Sequence, residues 1–387
     1  MRGAGESAAA RFGELTDVQA AVQRTFADFA DRELVPVASR LDEKGELDRA
    51  LFKKVGELGF FGMRYPVELG GSAADTLSLC LAAEELARGW LSLAAGSMMQ
   101  ALMGTWLVYR SGNAELHERL LKPAILGEKI GTICMTEPDA GSDLKGITTR
   151  ADPEGDGYRI TGKKTWITNA PVADFFTVFA KTGKTLSTFV VEARTEGVRV
   201  GRPIGKMGVR SSPTSEVFFD GAYVPKSQRV GDEGQGADYL AEILPQIRTV
   251  TGALALGVGR AAFDAARRYS LERKQFGKPI AEFQAVKLKI AAMATELFAT
   301  EQVVRRAATL ADRGASSAGV AAICKSFASE SAARVCDDAA RVLASYGYST
   351  DYPVERYLRD VRFTLIGGGT PEILALAIAR EALEGAP

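Results

Sequence analysis

The stretch Tyr158-Arg-Ile-Thr-Gly-Lys-Lys-Thr-Trp-Ile-Thr168 decides the fold at the centre of this chain. Its two-residue period, with β-branched and aromatic side chains, is typical of a β-strand. Shorter stretches of the same kind follow at 175–180, 187–191 and 216–219, and Gly, Asp and Pro residues lie between them. Residues between about 130 and 230 therefore predict a small antiparallel β domain.

Helical periodicity flanks this domain on both sides. Apolar residues recur every three or four positions in the stretches 18–37, 51–58, 77–90, 239–269, 280–313, 319–347 and 371–383. The last four predict a helical bundle. The sequence thus predicts an α+β protein with an N-terminal helical domain at residues 1–130, a middle β domain at 131–234 and a C-terminal four-helix bundle at 235–387.

Composition excludes several classes of function. The 48 Lys and Arg residues balance 48 Asp and Glu residues, so the protein has no net positive charge that would attract nucleic acid or an anionic membrane. The N-terminal residues lack the apolar core of a signal peptide, and no apolar run reaches the length of a membrane span. The four cysteines are scattered along the sequence, which predicts buried, reduced thiols. We expect a soluble, cytoplasmic protein. A single histidine, His117, expected at the surface, argues against a Ser-His-Asp triad or a metal site.

Three segments carry the residues that could bind a polar ring system and a diphosphate. Thr136-Glu-Pro-Asp-Ala-Gly-Ser-Asp143 offers hydroxyl groups and exposed backbone N–H groups on one loop. Trp166 and Thr168 are predicted on one face of a strand, with an aromatic plane beside a hydroxyl. Arg273-Lys-Gln-Phe-Gly-Lys-Pro-Ile280 places basic residues at a turn between two helices.

These segments occur with 352–360 and Gly369-Thr-Pro-Glu-Ile-Leu in an order and at intervals that resemble the acyl-CoA dehydrogenases. The resemblance extends from Thr16 to Glu384. It implies three domains, an FAD cofactor, a CoA or carrier-protein thioester as substrate, and a homotetramer built as a dimer of dimers. It leaves open whether electrons pass to an electron-transferring flavoprotein or to oxygen.

The resemblance also assigns residues. Those it implies around FAD are Met135, Thr136, Gly141, Ser142, Trp166, Thr168, Arg273, Phe276, Arg341, Ser345, Thr370 and Glu372. Those it implies around the substrate are Met99, Ser142, Arg248, Gly368 and Gly369. Where family tetramers complete the FAD site with a glutamine and a Gly-Gly pair from a second subunit, this chain has Arg341 and Ala344-Ser345.

The catalytic carboxylate of the family is missing from its usual positions. Most members carry it in a Tyr-Glu-Gly-Thr stretch, which matches Gly367-Gly-Gly-Thr370 and puts Gly368 at the base position. Other members carry it just before the substrate arginine, where this chain has Ile247. The turn of three glycines also predicts a wider pocket.

Several interpretations remain open. A base could come from elsewhere; Asp238 and Glu242 share a helix with Arg248, and Glu84 and Glu85 lie on an N-terminal helix. A conjugated enoyl thioester could instead lose its γ proton and be desaturated at γ,δ, as in secondary metabolism. The alternatives are a flavin-dependent monooxygenase or oxidase on the same fold, and a non-catalytic subunit that binds FAD or acyl thioester.

Overall fold

The computed structural model describes residues 15–315 and 317–384. The N-terminal residues on which the absence of a signal peptide was predicted lie mostly outside this range, as do the outer ends of the first and last predicted domains. The N-terminal unit is helical, as predicted. Its helices are α1 (Asp17–Phe29), α2 (Ala38–Lys44), α3 (Arg49–Glu57), α4 (Thr76–Met98), α5 (Trp106–Arg110), α6 (Ala114–Leu116) and α7 (Lys122–Ile125).

Helix α4 forms the centre of this unit. It begins where the Asp75 carboxylate accepts a hydrogen bond from the backbone N–H of Ser78 at 2.7 Å, a standard N-cap. The helical segment Thr76–Arg110 is long and apolar enough to cross a membrane, but 89% of its 18-residue apolar stretch is buried inside the protein. That burial is typical of a core helix.

The middle unit is one sheet of eight strands. They are β1 (Gly131–Cys134), β2 (Arg150–Glu154), β3 (Gly157–Thr168), β4 (Phe175–Thr182), β5 (Thr185–Glu192), β6 (Val198–Val200), β7 (Thr214–Pro225) and β8 (Arg229–Val230). Their order is β6-β7-β3-β2-β4-β5-β8, and β1 pairs with the free part of β4.

The prediction of a purely antiparallel domain was wrong in one respect. Strand β1 runs parallel to β4, with Gly131 opposite Phe175, and β2 also meets β4 in parallel. A tight hairpin forces antiparallel pairing, whereas about 40 residues separate β1 from β4 in sequence and leave either direction open. The sheet is therefore mixed.

Both faces of β4 are buried, which explains its unbroken apolar sequence. Phe175 and Phe179 join the main hydrophobic core, which the N- and C-terminal helices share. Phe176 and Val178 join a second core with side chains from β3 and β7. Because alternate residues face opposite sides, one strand ties the sheet to the helices and stabilises the sheet itself.

The C-terminal unit contains the four predicted helices and two that were missed. The predicted ones are α8 (Gly236–Glu272), α9 (Gln284–Asp312), α10 (Ala318–Leu343) and α13 (Pro371–Glu384). The two short helices α11 (Val354–Asp360) and α12 (Arg362–Ile366) lie between α10 and α13, and the two-residue strands β9 (Lys274–Gln275) and β10 (Lys278–Pro279) form a hairpin after α8. Helices this short depend on tertiary packing and leave little periodic signal.

Helix α8 lies against α4 at a point where only glycine fits. A Cβ atom added at Gly257 would lie 2.1 Å from the backbone oxygen of Glu84 and 3.0 Å from the backbone nitrogen of Arg88. Neither is the flexible end of a side chain, so the helices would have to separate. This contact sets the distance between the N-terminal and C-terminal units.

We expect Gly257→Ala to destabilise the protein by about 1–3 kcal/mol, because overpacking separates α8 from α4. Thermal unfolding of the FAD-loaded protein measures this as a fall in Tm of several degrees. Gly205→Ala is the matched control, since an added Cβ there meets nothing within 4 Å. Equal Tm values for the two variants would contradict the proposed contact.

Candidate active site

The loop 136–143 leaves the end of β1 and is fastened to the sheet by a buried ion pair. The Glu137 carboxylate accepts hydrogen bonds from the backbone N–H groups of Thr148 (2.7 Å) and Thr149 (2.9 Å). It also accepts one from the Lys164 ammonium at 2.9 Å, and the side chain of Lys164 is fully buried. This pair was not predicted from the sequence, because Glu137 and Lys164 lie 27 residues apart on two segments that each carry several charged residues.

Hydrogen bonding decides the charge of Glu137. Burial alone would raise the pKa of its carboxyl, but the hydrogen bonds from Thr148 and Thr149, with the Lys164 ammonium, outweigh burial and lower that pKa to about 2. The carboxylate is therefore ionised at neutral pH. It holds the loop in place from beneath and leaves the residues at its outer edge free to contact a ligand.

The outer part of this loop is accessible. Gly141 and Ser142 are exposed, whereas Met135 and Thr136 are half-buried at its base, and the Thr136 carbonyl accepts a hydrogen bond from the backbone N–H of Thr165 at 2.9 Å. The loop therefore lies directly beside the strand that carries Trp166. The structure thus brings together the two central segments that were predicted from sequence.

Trp166 has an unusual conformation for an aromatic residue. Its φ of +58° lies in the left-handed region, and its side chain is 58% exposed. The pairing of β3 with β7 shifts register between Lys164 and Ile167. The simple alternation that placed Trp166 and Thr168 on one face therefore does not hold, because the irregularity turns Trp166 outward while Thr168 is nearly buried. An exposed indole held in a strained backbone is a feature of ligand-binding sites.

The glycine turn that replaces the usual base lies between α12 and α13. Gly368 and Gly369 have φ values of +74° and +116°, a region that disfavours residues with side chains. The Arg248 Nε atom on α8 donates to the Gly368 carbonyl at 3.2 Å. The Lys325 ammonium on α10 donates to the Gly369 carbonyl at 2.5 Å and to the Leu365 carbonyl at 2.9 Å. Two cations from two helices thus hold successive carbonyls of one turn.

The end of α4 completes this pocket. A Cβ atom at Gly368 would lie 3.3 Å from the Ile247 Cγ2 atom and 3.9 Å from the Thr251 hydroxyl oxygen. That hydroxyl lies 3.8 Å from the sulfur of Met98 at the end of α4. Met99, the residue predicted to line the pocket, is half-buried on the next turn. The structure therefore brings Arg248 beside Gly368 and Gly369, and it brings Met98, the neighbour of Met99, beside Thr251 of α8.

Three of the four acidic residues considered as replacement bases are engaged in ion pairs. Glu242 pairs with Arg110 at 3.3 Å, Glu84 with Arg260 at 2.8 Å, and Glu85 with Arg88 at 2.6 Å; Asp238 is exposed. Within residues 15–315 and 317–384, no carboxylate lies within 4.0 Å of the Arg248 guanidinium or the Lys325 ammonium. Arg248 and Lys325 therefore have no carboxylate at ion-pair distance among the described residues, and Glu372 is the acidic residue of the turn region whose charge acts on Lys325.

The remaining predicted FAD residues lie at the C-terminal unit. Phe276 has a φ of +50° and is 93% exposed, while Arg273 lies with its guanidinium 5.8 Å from the ring centre of Tyr346. Arg341 and Ser345 are also exposed, and the Thr370 hydroxyl accepts from the backbone N–H of Ile373 at the start of α13. His117, expected at the surface, is half-buried, and its ring nitrogen lies 3.1 Å from the Tyr109 carbonyl oxygen.

Family models described as the N-terminal, middle and C-terminal domains of acyl-CoA dehydrogenase match residues 16–128, 132–222 and 234–383. The chain belongs to the acyl-CoA dehydrogenase family. It is an oxidoreductase that acts on the CH–CH bonds of acyl-CoA, and its cofactor is FAD.

Individual members of the acyl-CoA dehydrogenase family match over almost the whole chain. The benzylmalonyl-CoA dehydrogenase of Aromatoleum aromaticum is 58% identical over 95% of this chain and 98% of that protein. The CarC subunit of the caffeyl-CoA reductase-Etf complex of Acetobacterium woodii is 37% identical over 92% and 96%. A solved glutaryl-CoA dehydrogenase of Mycobacterium smegmatis, in complex with FADH2, superposes with a TM-score of 0.92 at 27% identity over 96% of each chain.

The site of this acyl-CoA dehydrogenase fits FAD in its chemistry. The exposed loop around Ser142 offers hydroxyl and backbone donors, the Trp166 indole is exposed beside it, and Arg273 supplies a cation. A flavin ring and a diphosphate require an aromatic or polar surface and a cation, respectively. The assignment of individual residues to FAD stays a prediction.

We expect Glu137→Gln to destabilise the protein by about 3–5 kcal/mol and to speed the loss of FAD, because the buried Lys164 ammonium loses its partner. The folded pKa of Glu137 lies below its ordinary value, so its contribution is present above about pH 4.5 and is lost as pH falls toward 2. Thermal unfolding between pH 3 and 7 and flavin absorbance after gel filtration measure both effects. Glu196→Gln is the control, because Glu196 is exposed. If Glu137→Gln and the wild type lost Tm in the same way as pH falls, the stabilising role of the Glu137 carboxylate would be contradicted.

Proposed function

We propose that this chain oxidises an acyl-CoA whose α carbon carries a carboxylate, and that CO2 leaves from the α carbon as the β hydrogen leaves as hydride. The product is the α,β-unsaturated thioester. One observation carries the proposal: no carboxylate of the described chain lies within 4.0 Å of Arg248, which bonds to Gly368, the residue that the family resemblance puts at the base position.

An α-carboxylate makes the missing base unnecessary. An ordinary acyl thioester must give up its α proton, and a positioned general base typically contributes a factor of about 10²–10⁴ to that step. In a 2-carboxyacyl thioester, the electron pair of the breaking C–COO⁻ bond becomes the new α,β double bond. Bound FAD supplies the two-electron acceptor for the β hydride. The negative charge of the carboxylate passes to the reduced cofactor, so no proton has to be removed and the charges balance.

The backbone at the glycine turn can still orient the thioester. Among the described residues, the N–H group of Gly368 has no hydrogen-bond partner, and it lies in the same turn as the carbonyl that Arg248 holds. A free N–H in a pocket can donate to a thioester carbonyl and stabilise the charge that develops on its oxygen as the α bond breaks. The side chain of the usual base is therefore dispensable for this contact.

The names of two relatives support the choice of substrate. A benzylmalonyl group carries both a carboxylate and a benzyl substituent on its α carbon, and the relative named for it is 58% identical. The caffeyl-CoA reductase subunit is likewise named for a three-carbon acyl group with an aryl substituent. We therefore propose an arylmethyl-malonyl or alkylmalonyl thioester, carried on CoA rather than on a carrier protein.

The FAD would be held by residues of the loop, β3 and the C-terminal unit. Thr136, Ser142 and Trp166 would contact the flavin ring, and Arg273 would contact the diphosphate. Phe276 and Arg341 are exposed on a single chain, so they suit contact with FAD bound in a second copy, which supports a homo-oligomer. The reduced cofactor needs an acceptor, and the Etf complex of the caffeyl-CoA relative makes an electron-transferring flavoprotein one class to test beside oxygen.

We expect benzylmalonyl-CoA to bleach the flavin under anaerobic conditions and to release one CO2 per flavin reduced. Its matched control, 3-phenylpropanoyl-CoA, differs only in lacking the α-carboxylate, and should react at least about a hundredfold more slowly because no base removes its α proton. Stopped-flow absorbance follows the flavin and ¹³C-labelled carboxylate follows the CO2. Re-oxidation by air, compared with re-oxidation by an electron-transferring flavoprotein, then identifies the acceptor.

The other interpretations give different results in the same assay. Equal bleaching by 3-phenylpropanoyl-CoA would contradict the proposal and indicate a relocated base. Bleaching by enoyl thioesters alone would indicate γ,δ-desaturation. An absence of bleaching by every thioester would reject the proposal and favour a monooxygenase or a non-catalytic role.

A further inference from the structure

We infer that the Arg248 guanidinium and the hollow beside Gly368 form the binding subsite for the substrate's α-carboxylate, in the place where other family members hold their catalytic glutamate. The inference rests on the proposed function, since it assigns the residue that recognises the carboxylate. It makes Arg248 the residue that selects 2-carboxyacyl thioesters over neutral acyl thioesters.

Among the described residues, the Arg248 guanidinium has no carboxylate within 4.0 Å. Arg248 is half-buried, and burial lowers the pKa of its guanidinium. Lys325 is fully buried, and burial together with the nearby Arg248 lowers the pKa of its ammonium to about 8. Both cations bond to carbonyl groups. The charges of Glu330 and Glu372 act on the Lys325 ammonium and raise its pKa, whereas the pKa of Arg248 reflects burial alone, so the guanidinium is the cation without a compensating charge. Because desolvated charge is costly without a partner, a ligand carboxylate would be favoured here.

The donors of Arg248 point to a carboxylate in particular. Its Nε atom is occupied by the Gly368 carbonyl, while within the described chain its two terminal nitrogens make no hydrogen bond. The Nη2 atom lies 3.9 Å from the position of a Cβ atom on Gly369, so it reaches the hollow that the glycines leave. Two adjacent N–H groups of a guanidinium match the two oxygens of a carboxylate.

The glycines allow a ligand to approach Arg248, and the residues around them determine which ligand charge is favoured. Gly368 has no side chain, and the position of a Cβ atom there lies 3.3 Å from the Ile247 Cγ2 atom on one side and 4.0 Å from the Arg248 Cγ atom on the other. A carboxylate placed there would face a guanidinium on one side and a hydrocarbon on the other. As CO2 forms, the carboxylate loses its charge, and an apolar wall disfavours the charged form more than the neutral product. The subsite can therefore bind the anion and still permit its loss.

Malonyl-CoA is the probe for this subsite, because it carries the α-carboxylate but has no β hydrogen and cannot be oxidised. Acetyl-CoA is its counterpart without the carboxylate. Calorimetric titration of the FAD-loaded protein should give a Kd for malonyl-CoA that is about 10–100 times lower than for acetyl-CoA, as expected for one charge-assisted pair. Arg248→Gln should abolish this preference for malonyl-CoA over acetyl-CoA, while Arg248→Lys should restore part of it.

A second pair of variants tests the hollow itself. Asp and Asn both tolerate the left-handed conformation of Gly368, and they differ in charge while matching in size. Gly368→Asp should place a carboxylate beside Arg248 and remove the preference for malonyl-CoA, whereas Gly368→Asn should retain most of it. Flavin content and Tm confirm that each variant is folded.

The outcomes separate this inference from the proposed function. If Arg248→Gln keeps the preference for malonyl-CoA, or if the Asp and Asn variants bind it equally, the subsite is overturned even when benzylmalonyl-CoA still releases CO2. If wild type shows no preference for malonyl-CoA, the subsite is likewise rejected. If benzylmalonyl-CoA neither bleaches the flavin nor releases CO2, the proposed function fails independently of these binding measurements.

Discussion

The close approach of α4 and α8 at Gly257 is the constraint on which the site depends. It brings the backbone of α8 against the backbone of α4 and the Ala87 methyl group, and it fixes α8 relative to the N-terminal unit. Three residues after Arg248 on α8, the Thr251 hydroxyl oxygen lies 3.8 Å from the sulfur of Met98 on α4. A wider separation would leave the substrate residues on different surfaces.

The site then combines two regions with opposite physical character. The loop around Ser142 is anchored by a buried ion pair in which every charge has a partner, so it is rigid at its base and accessible at its edge. At the glycine turn, Arg248 and Lys325 are held by carbonyl groups and have no acidic partner among the described residues. The first region suits a permanently bound cofactor. The second suits an anionic substrate that arrives and leaves.

This contrast explains how a family reaction can continue without its base. In most family members, a carboxylate of the enzyme removes a proton from the α carbon of the substrate. In this protein, the substrate would carry the carboxylate on its α carbon, and the enzyme would supply the cation that binds it. The family resemblance puts Gly367 and Gly368 at the Tyr and Glu positions of the Tyr-Glu-Gly-Thr stretch, so this turn would lack the charge of the usual base. The chemistry of hydride transfer at the β carbon would be unaffected, because it depends on FAD.

The sequence by itself determined the class of the protein and most of its elements. Strand and helix periods are local properties, so the β centre and the long helices α8, α9, α10 and α13 were predicted, and motif order identified the family and its cofactor. Tertiary structure alone decided the parallel pairing of β1 with β4, the register shift at Trp166 and the ion pair of Glu137 with Lys164. It also decided that Glu242, Glu84 and Glu85 pair with arginines while Arg248 has no acidic partner in the described chain. These contacts join residues that are far apart in sequence, and the local periodicity of the sequence does not indicate which distant residues will come into contact.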